Sequence, residues 1–448
     1  MPKKKTALTI EERLQQTLVP AEEQPYEVPE NWVWVRLKSV ASWGSGGTPS
    51  RKHEEYYNGD ILWIKTGELN NGWIYDTEEK ITDEGLKKSS AKLFPPYSVL
   101  IAMYGATIGK VAILGVPATT NQACACAVCN KSLLYMYLFY YCISQKNVFI
   151  EKGKGGAQPN ISQIILKQHP IPLPPLFEQQ RIVERIEELF AKLDEAKERL
   201  QEVADSFAVR KAAILHKAFT GELIGKQVTE LVPLENLVDL IKIGPFGSSL
   251  HESDYIENGI PLVNPKHIVQ QRIVPQSKIS ISDEKAEELS SYKLKENDIV
   301  LGRRGEMGRC APISNREENW ICGTGSMIIR LKKEYDAKLY SLILGSQATV
   351  TYLENSAVGS TLKNLNEKIV RKIPVPQFSS EEQHEIVRLI DDLLARERSA
   401  QQATERALAS IDLMKKSILA RAFRGELGTN KASEASALEL LRQVLAEG

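Results

Sequence analysis

Residues 178–223 and 382–427 are one segment written twice, 204 positions apart, with 17 of 46 residues identical and no gap. A repeat at that spacing means two copies of a large module rather than a solenoid. The first copy opens Glu178-Gln179 and closes Ala218-Phe219-Thr220-Gly221-Glu222-Leu223; the second opens Glu382-Gln383 and closes Ala422-Phe423-Arg424-Gly425-Glu426-Leu427. Apolar residues in the first copy fall at Ile182, Ile186, Leu189, Leu193, Ala196, Leu200, Val203 and Phe207, pass Arg210 and resume at Ile214. Steps of four and three make this a heptad seam, so each copy is expected to be one long coiled-coil helix. The second copy keeps register at Ile386, Ile390, Leu393, Ala400, Ala407, Ile411 and Ile418. It carries Glu397 and Thr404 on the seam, so its middle should pack more closely and less strongly. Prolines before each copy, and Gly221 or Gly425 after it, suit a helix start and a left-handed cap. Each rod would span roughly 70 Å. A helix in water depends on burying its apolar face, so the plainest partner for each rod is the other.

The bulk numbers bound the rest. A chain of 448 residues is too long for one ordinary core and calls for two or more domains. No stretch approaches 18 consecutive apolar residues, and the opening Met1-Pro2-Lys3-Lys4-Lys5 lacks the apolar core of a signal peptide, so the cytoplasm is the expected compartment. Six cysteines, four of them within residues 124–142, do not make a secreted disulfide framework. Zero net charge argues against indiscriminate polyanion binding. The distribution is uneven, however. Between Glu84 and Glu151 there is no acidic residue, while Lys87, Lys88, Lys92, Lys110, Lys131 and Lys146 lie inside. That gap suits either a sparsely charged strand-rich half-domain or a surface that faces DNA.

The segments before the rods are also related. Asp60-Ile61-Leu62-Trp63-Ile64-Lys65 parallels Gly259-Ile260-Pro261-Leu262-Val263-Asn264, and Tyr97–Lys110 parallels Asn297–Arg309. Short strands separated by Gly, Asn and Pro turns dominate, with helical stretches near residues 132–149 and 336–354. Each module therefore reads as mixed α/β and ends in a proline-rich strap, 169–175 or 373–376, that hands the chain to its rod. Thr9 with Glu12, and Ser436 with Glu439, suggest capping boxes on short terminal helices.

Two diverged α/β modules alternating with two repeated helices closing in Ala-Phe-x-Gly-Glu-Leu resemble the specificity subunit of type I restriction-modification systems. The matches include Gly46-Gly47-Thr48-Pro49-Ser50, Trp63-Ile64-Lys65-Thr66-Gly67, Gly105-Ala106-Thr107-Ile108-Gly109-Lys110 and Ile171-Pro172-Leu173-Pro174-Pro175 with Glu178-Gln179. The second module adds Gly244-Pro245-Phe246-Gly247-Ser248-Ser249-Leu250, Arg303–Arg309 and Cys322-Gly323-Thr324-Gly325. The resemblance implies an α/β (α+β) chain, pseudo-twofold, in which two target-recognition domains are separated by an antiparallel coiled coil. It divides the sequence into an N-terminal arm 1–28, domains 29–176 and 224–378, spacer helices 177–223 and 379–427, and a C-terminal arm 428–448. It further implies a non-catalytic subunit that binds double-stranded DNA, two methyltransferase subunits and, in some assemblies, restriction subunits. No cofactor is expected on this chain; S-adenosylmethionine, ATP and magnesium belong to partners. Divergence between the modules implies an asymmetric target of two short blocks around a gap.

Base reading needs donors in fixed geometry, Arg or Lys for guanine and Asn or Gln for adenine. Candidates in the first module are Arg51, Lys52, Asn70, Asn71, Lys87, Lys88, Tyr104 and Lys110; in the second, Lys266, His267, Gln270, Gln271, Arg272, Arg303, Arg304 and Arg309. Glu306 could orient Arg303 or Arg309 as readily as touch a cytosine. Many of these are equally well read as solvated charges or phosphate contacts, which position without specifying. Cys124, Cys126, Cys129 and Cys142 are interleaved with small apolar residues and read as buried strand rather than metal site. The string 105–110 is too short between its glycines for a phosphate loop and reads as a turn. No methyltransferase, ATPase or nuclease motif stands out. The alternatives to DNA recognition are a coiled-coil scaffold binding proteins, and an autonomous enzyme.

Overall fold

The structure, a computed structural model, describes residues 9–153, 160–245, 249–356 and 364–447. The basic opening at residues 1–5, and Phe246, Gly247 and Ser248 of the second module's first string, lie outside the described residues. The chain divides into two units, Met1–Arg199 with Leu408–Gly448, and Leu200–Ala407.

In the first unit a five-stranded sheet runs in the order Ala41–Ser45, Cys124–Cys129, Val99–Ala102, Val111–Leu114, Trp73–Ile74, and a three-stranded sheet in the order Lys80–Ile81, Tyr57–Ile64, Thr119–Thr120. In the second unit the corresponding orders are Val238–Ile243, Ser326–Leu331, Asp298–Gly302, Cys310–Pro312, and Ser280–Ile281, Ile260–Val263, Ile321–Cys322. Strand for strand these are the same fold. Both small sheets even share a parallel pair, Trp63 with Thr119 and Leu262 with Ile321. The proline-rich straps pair antiparallel with each module's opening, Pro170–Leu173 with Val33–Arg36 and Pro374–Val375 with Val232–Pro233. One edge differs. Trp73–Ile74 joins the larger first sheet, whereas its counterpart Arg272–Ile273 pairs with Ile268–Val269 around a tight turn at Gln270 and Gln271, both at positive φ (48° and 61°).

Two long helices, Leu176–Phe219 and Ser380–Ala422, follow the straps. Gly221 (φ 78°) and Gly425 (φ 75°) close them in the left-handed conformation that suits glycine. In the first unit Ile182 and Ile186 share a core with Leu419, Ala422 and Phe423, and Lys415 reaches Asp194 at 2.6 Å. In the second, Ala218 shares a core with Ile386 and Ile390, and Arg210 meets Glu397 at 3.0 Å. In each unit, advancing along one helix means retreating along the other, so the pairing is antiparallel. On the seam, Ile182, Ile186, Phe207, Ile386, Ile390 and Ile411 are buried, and Leu189, Leu193, Leu200, Leu393 and Ile418 half-buried. Val203, 40% exposed, and the exposed Ala400 do not sit inside. A straight helix of 3.6 residues per turn drifts by about 20° per heptad, which carries strict heptad positions off the contact face.

The repeated Glu-Gln at each helix start is explained by burial. Gln179 accepts from Leu134 N (2.8 Å) and donates to Ser132 O (2.9 Å) and Pro174 O (3.0 Å). Gln383 accepts from Asp336 N (2.8 Å) and donates to Glu334 O (2.9 Å) and Phe378 O (3.0 Å). One amide thus ties helix, strap and the turn before a short helix together, three bonds in each copy. The closing Ala-Phe serves packing: Phe423 stands edge-on to Tyr137 and Tyr141, with ring centres 5.2 and 5.0 Å away. At the chain's start, Thr9 caps Ile10–Thr17 through the reciprocal bond with Glu12, and Arg442 of Ala437–Glu447 reaches Glu11 at 3.2 Å. At Ser436, Glu439 N donates to the backbone carbonyl at 3.0 Å.

Candidate nucleic-acid interface

Two loops come together at one end of each larger sheet. One follows the strand of the small sheet: Ile64–Ile74 in the first unit, Val263–Ile273 in the second. Each begins with a single tight turn closed by the residue three positions on. Lys65 N donates to Glu68 Oε1 at 2.9 Å, and Asn264 N lies 3.2 Å from His267 Nδ1. Each then passes a left-handed residue, Asn71 (φ 60°) or Gln270 (φ 48°). The other loop is a glycine turn between sheet strands, with Gly105 (φ 60°) and Gly305 (φ 83°) in positions a side chain would strain. In the first unit the loops are joined by Asn71, whose N donates to Val111 O (2.8 Å) and whose Oδ1 accepts from Val111 N (3.1 Å). In the second, Arg309 Nη1 donates to Pro265 O at 3.3 Å.

The candidate side chains separate by what already holds them. Arg51 lies over the Tyr57 ring, 4.3 Å from its centre, and pairs with Glu79 at 2.7 Å; Lys65 reaches Glu79 at 3.0 Å and Glu78 at 3.2 Å. The first module's Arg51 is therefore engaged by its own protein. Asn71 spends its side chain on the neighbouring loop. Lys52, Asn70, Lys87, Lys88 and Tyr104 are exposed, and Lys110 is half-buried. In the second unit Lys266, Gln270, Arg272 and Arg304 are exposed, while Arg309 is held by Glu306 beside the same turn. Among the described residues Lys52, Lys87, Lys88, Lys266, Arg272 and Arg304 form no ion pair. Their charges are open to a partner.

Two candidates lie in the interior rather than on the surface. His267 is 1% exposed, its Nδ1 2.8 Å from Leu262 O, and burial lowers its pKa, so it stays neutral inside. It closes the turn that Glu68 closes in the first unit, and aligning 64–74 with 263–273 is the signal that exposes this role. Arg303 is also interior, 7% exposed, its Nε donating to Leu365 O at 3.1 Å. Lys146, inside the acid-free stretch, also borders this site. Its aliphatic stem abuts Gly109 and its ammonium is exposed, at the edge of the glycine turn.

The cysteines sit as small apolar residues do. Cys124, Cys126 and Cys142 are buried, and burial pushes the Cys126 thiol up to about 12. Among the described residues no cluster of His, Cys, Asp and Glu is placed to hold a metal, and no helix is long and apolar enough to cross a membrane.

Comparison with known proteins follows the same division. The family profile described as "Type I restriction modification DNA specificity domain" matches residues 29–205 and again 235–406. The MjaIX specificity subunit of Methanocaldococcus jannaschii is 29% identical over 298 residues, covering 62% of this chain and 68% of that protein. The EcoBI specificity subunit of Escherichia coli is 25% identical over 464 aligned positions, covering 94% and 93%. Among solved structures, the HsdS subunit of Thermoanaerobacter tengcongensis superposes with a TM-score of 0.65 at 19% identity, covering 90% of this chain and all of that one. That last likeness concerns the fold.

Proposed function

The chain belongs to the type I restriction-modification DNA specificity family, and on that premise we propose that its two units are two DNA readers, each recognising one half of an asymmetric, interrupted target. The observation that carries this is the pair of loop clusters: same topology and placement, different side chains. The first presents Asn70, Tyr104 and Lys110; the second presents Lys266, Gln270, Arg272 and Arg304. Exposed unpaired cations supply phosphate affinity, and the Asn, Gln and Arg groups supply donors for base edges. The paired long helices set the gap between half-sites and dock two methyltransferase subunits, which bring S-adenosylmethionine and the chemistry; in some assemblies restriction subunits with ATP and magnesium join them. This chain selects the site and transfers no group itself. Methylation mapping of DNA treated with the chain and its methyltransferase partner tests the reading. One discrete motif of two different blocks around a fixed gap is expected; methylation without such a motif contradicts it.

A further inference from the structure

Met103 and Arg303 occupy one and the same place in the two units. Met103 N donates to Ala123 O and Met103 O accepts from Ile161 N, both at 2.9 Å; Arg303 N donates to Gly325 O at 2.8 Å and Arg303 O accepts from Leu365 N at 3.0 Å. Both side chains are interior, 4% and 7% exposed. The first unit shows that an unbranched apolar side chain fills this place; the second puts a cation there. Among the described residues no carboxylate pairs with Arg303. Burial, and after it the neighbouring Arg304, hold its guanidinium below the usual arginine range. A largely buried charge left without an opposite one is unfavourable in a folded chain. One donor close by along the backbone is also buried without a partner: Oγ of Ser326, cross-strand from Gly302. An orphaned hydroxyl of this kind calls for a missing acceptor.

We propose that Arg303 is a preformed receptor for one backbone phosphate of the DNA at the half-site of the second unit, a site with no counterpart in the first. The proposal rests on the DNA-recognition reading above. A phosphodiester brings the full negative charge that the buried guanidinium lacks, whereas a base edge offers neutral acceptors and leaves the cation uncompensated. The bond from Nε to Leu365 O holds the guanidinium in place before DNA arrives. The desolvation cost is borne by the free protein, and little ordering is left for binding. Exposed Arg304 on the same turn adds attraction for the same strand.

The test uses the full chain with its methyltransferase partner and a duplex carrying the motif that methylation mapping returns, titrated by fluorescence anisotropy over a salt series. In Arg303→Met, which installs the residue of the other unit, affinity should fall roughly tenfold and the slope of log affinity against log salt should flatten by about one. The thermal midpoint should hold or rise, because a buried unpaired charge has gone. Single neutral methylphosphonates around the second half-site should reveal one phosphate whose loss costs the wild type a similar factor and costs Arg303→Met nothing. Unchanged affinity and slope in the variant overturn the proposal. So does a loss confined to one base pair at constant slope. Should Arg303→Met fail to fold, Arg303→Gln gives the same two readouts. Failure of the recognition reading itself looks different: the wild type then yields no motif and no sequence-specific affinity.

Discussion

The two units share their strand order, their straps and the buried glutamine at the start of each long helix, yet at the rim scarcely a side chain agrees. Gln179 and Gln383 make the same three hydrogen bonds; Met103 and Arg303, Asn71 and Gln270, Tyr97 and Asn297 fill matched positions with different chemistry. The duplication works as an alignment of two sequences inside one molecule. What both copies keep is what the fold needs, and what they vary is what two readers of different half-sites would vary. Asn297 illustrates the line between them. It sits at φ 65°, where asparagine is at ease, and its amide joins Tyr335 O and Ala337 N. Tyr97 holds φ 67° at the same point and instead packs into an exposed cluster with Trp73 and Tyr135.

The largest effect that could break this division concerns the closing Ala-Phe. Phe423 is 1% exposed between two tyrosine rings, whereas Phe219 is half-buried. Phe423→Ala should cost about 3–5 kcal/mol and Phe219→Ala distinctly less, measured by denaturant unfolding. Equal costs would mean that the motif, not its burial, sets stability. Next come the glutamines. Gln179→Ala and Gln383→Ala should each cost about 1–3 kcal/mol, because each leaves buried backbone groups without partners. A neutral result at either position would show that the shared motif is not a shared fastening. The smallest effect is expected where the helices' two interruptions meet. Arg210 and Glu397 are 41% and 25% exposed, so a double-mutant cycle should give a coupling below about 1 kcal/mol, weaker still at high salt. A coupling of several kcal/mol would make this pair a principal fastening of the second unit's helices.

Much of this architecture was legible in the residues. The heptads announced two long helices, glycines marked their ends, and the fold class follows from short strands between Gly, Asn and Pro turns. Other features were hidden for identifiable reasons. Glu397 read as a weak point on its own seam and Arg210 as a gap in the other, because neither sequence alone contains the antiparallel register that brings them to 3.0 Å. Val203 was placed on the seam by strict period, and the drift of a straight helix moved it out. His267 looked like a surface donor since a cap within a tight turn leaves no periodic trace. Lys146 is distant in sequence from the glycine turn it borders, so only the absence of nearby acids pointed to it.

The central claim is that two equivalent scaffolds carry two different readers. A chain in which a copy of residues 33–173 replaces residues 232–375 tests it most directly, with methylation mapped after pairing with the methyltransferase partner. The account expects the wild-type block of the first unit to appear on both sides of the gap, turning an asymmetric motif into a symmetric one. A motif that keeps the second block despite the exchange would contradict it.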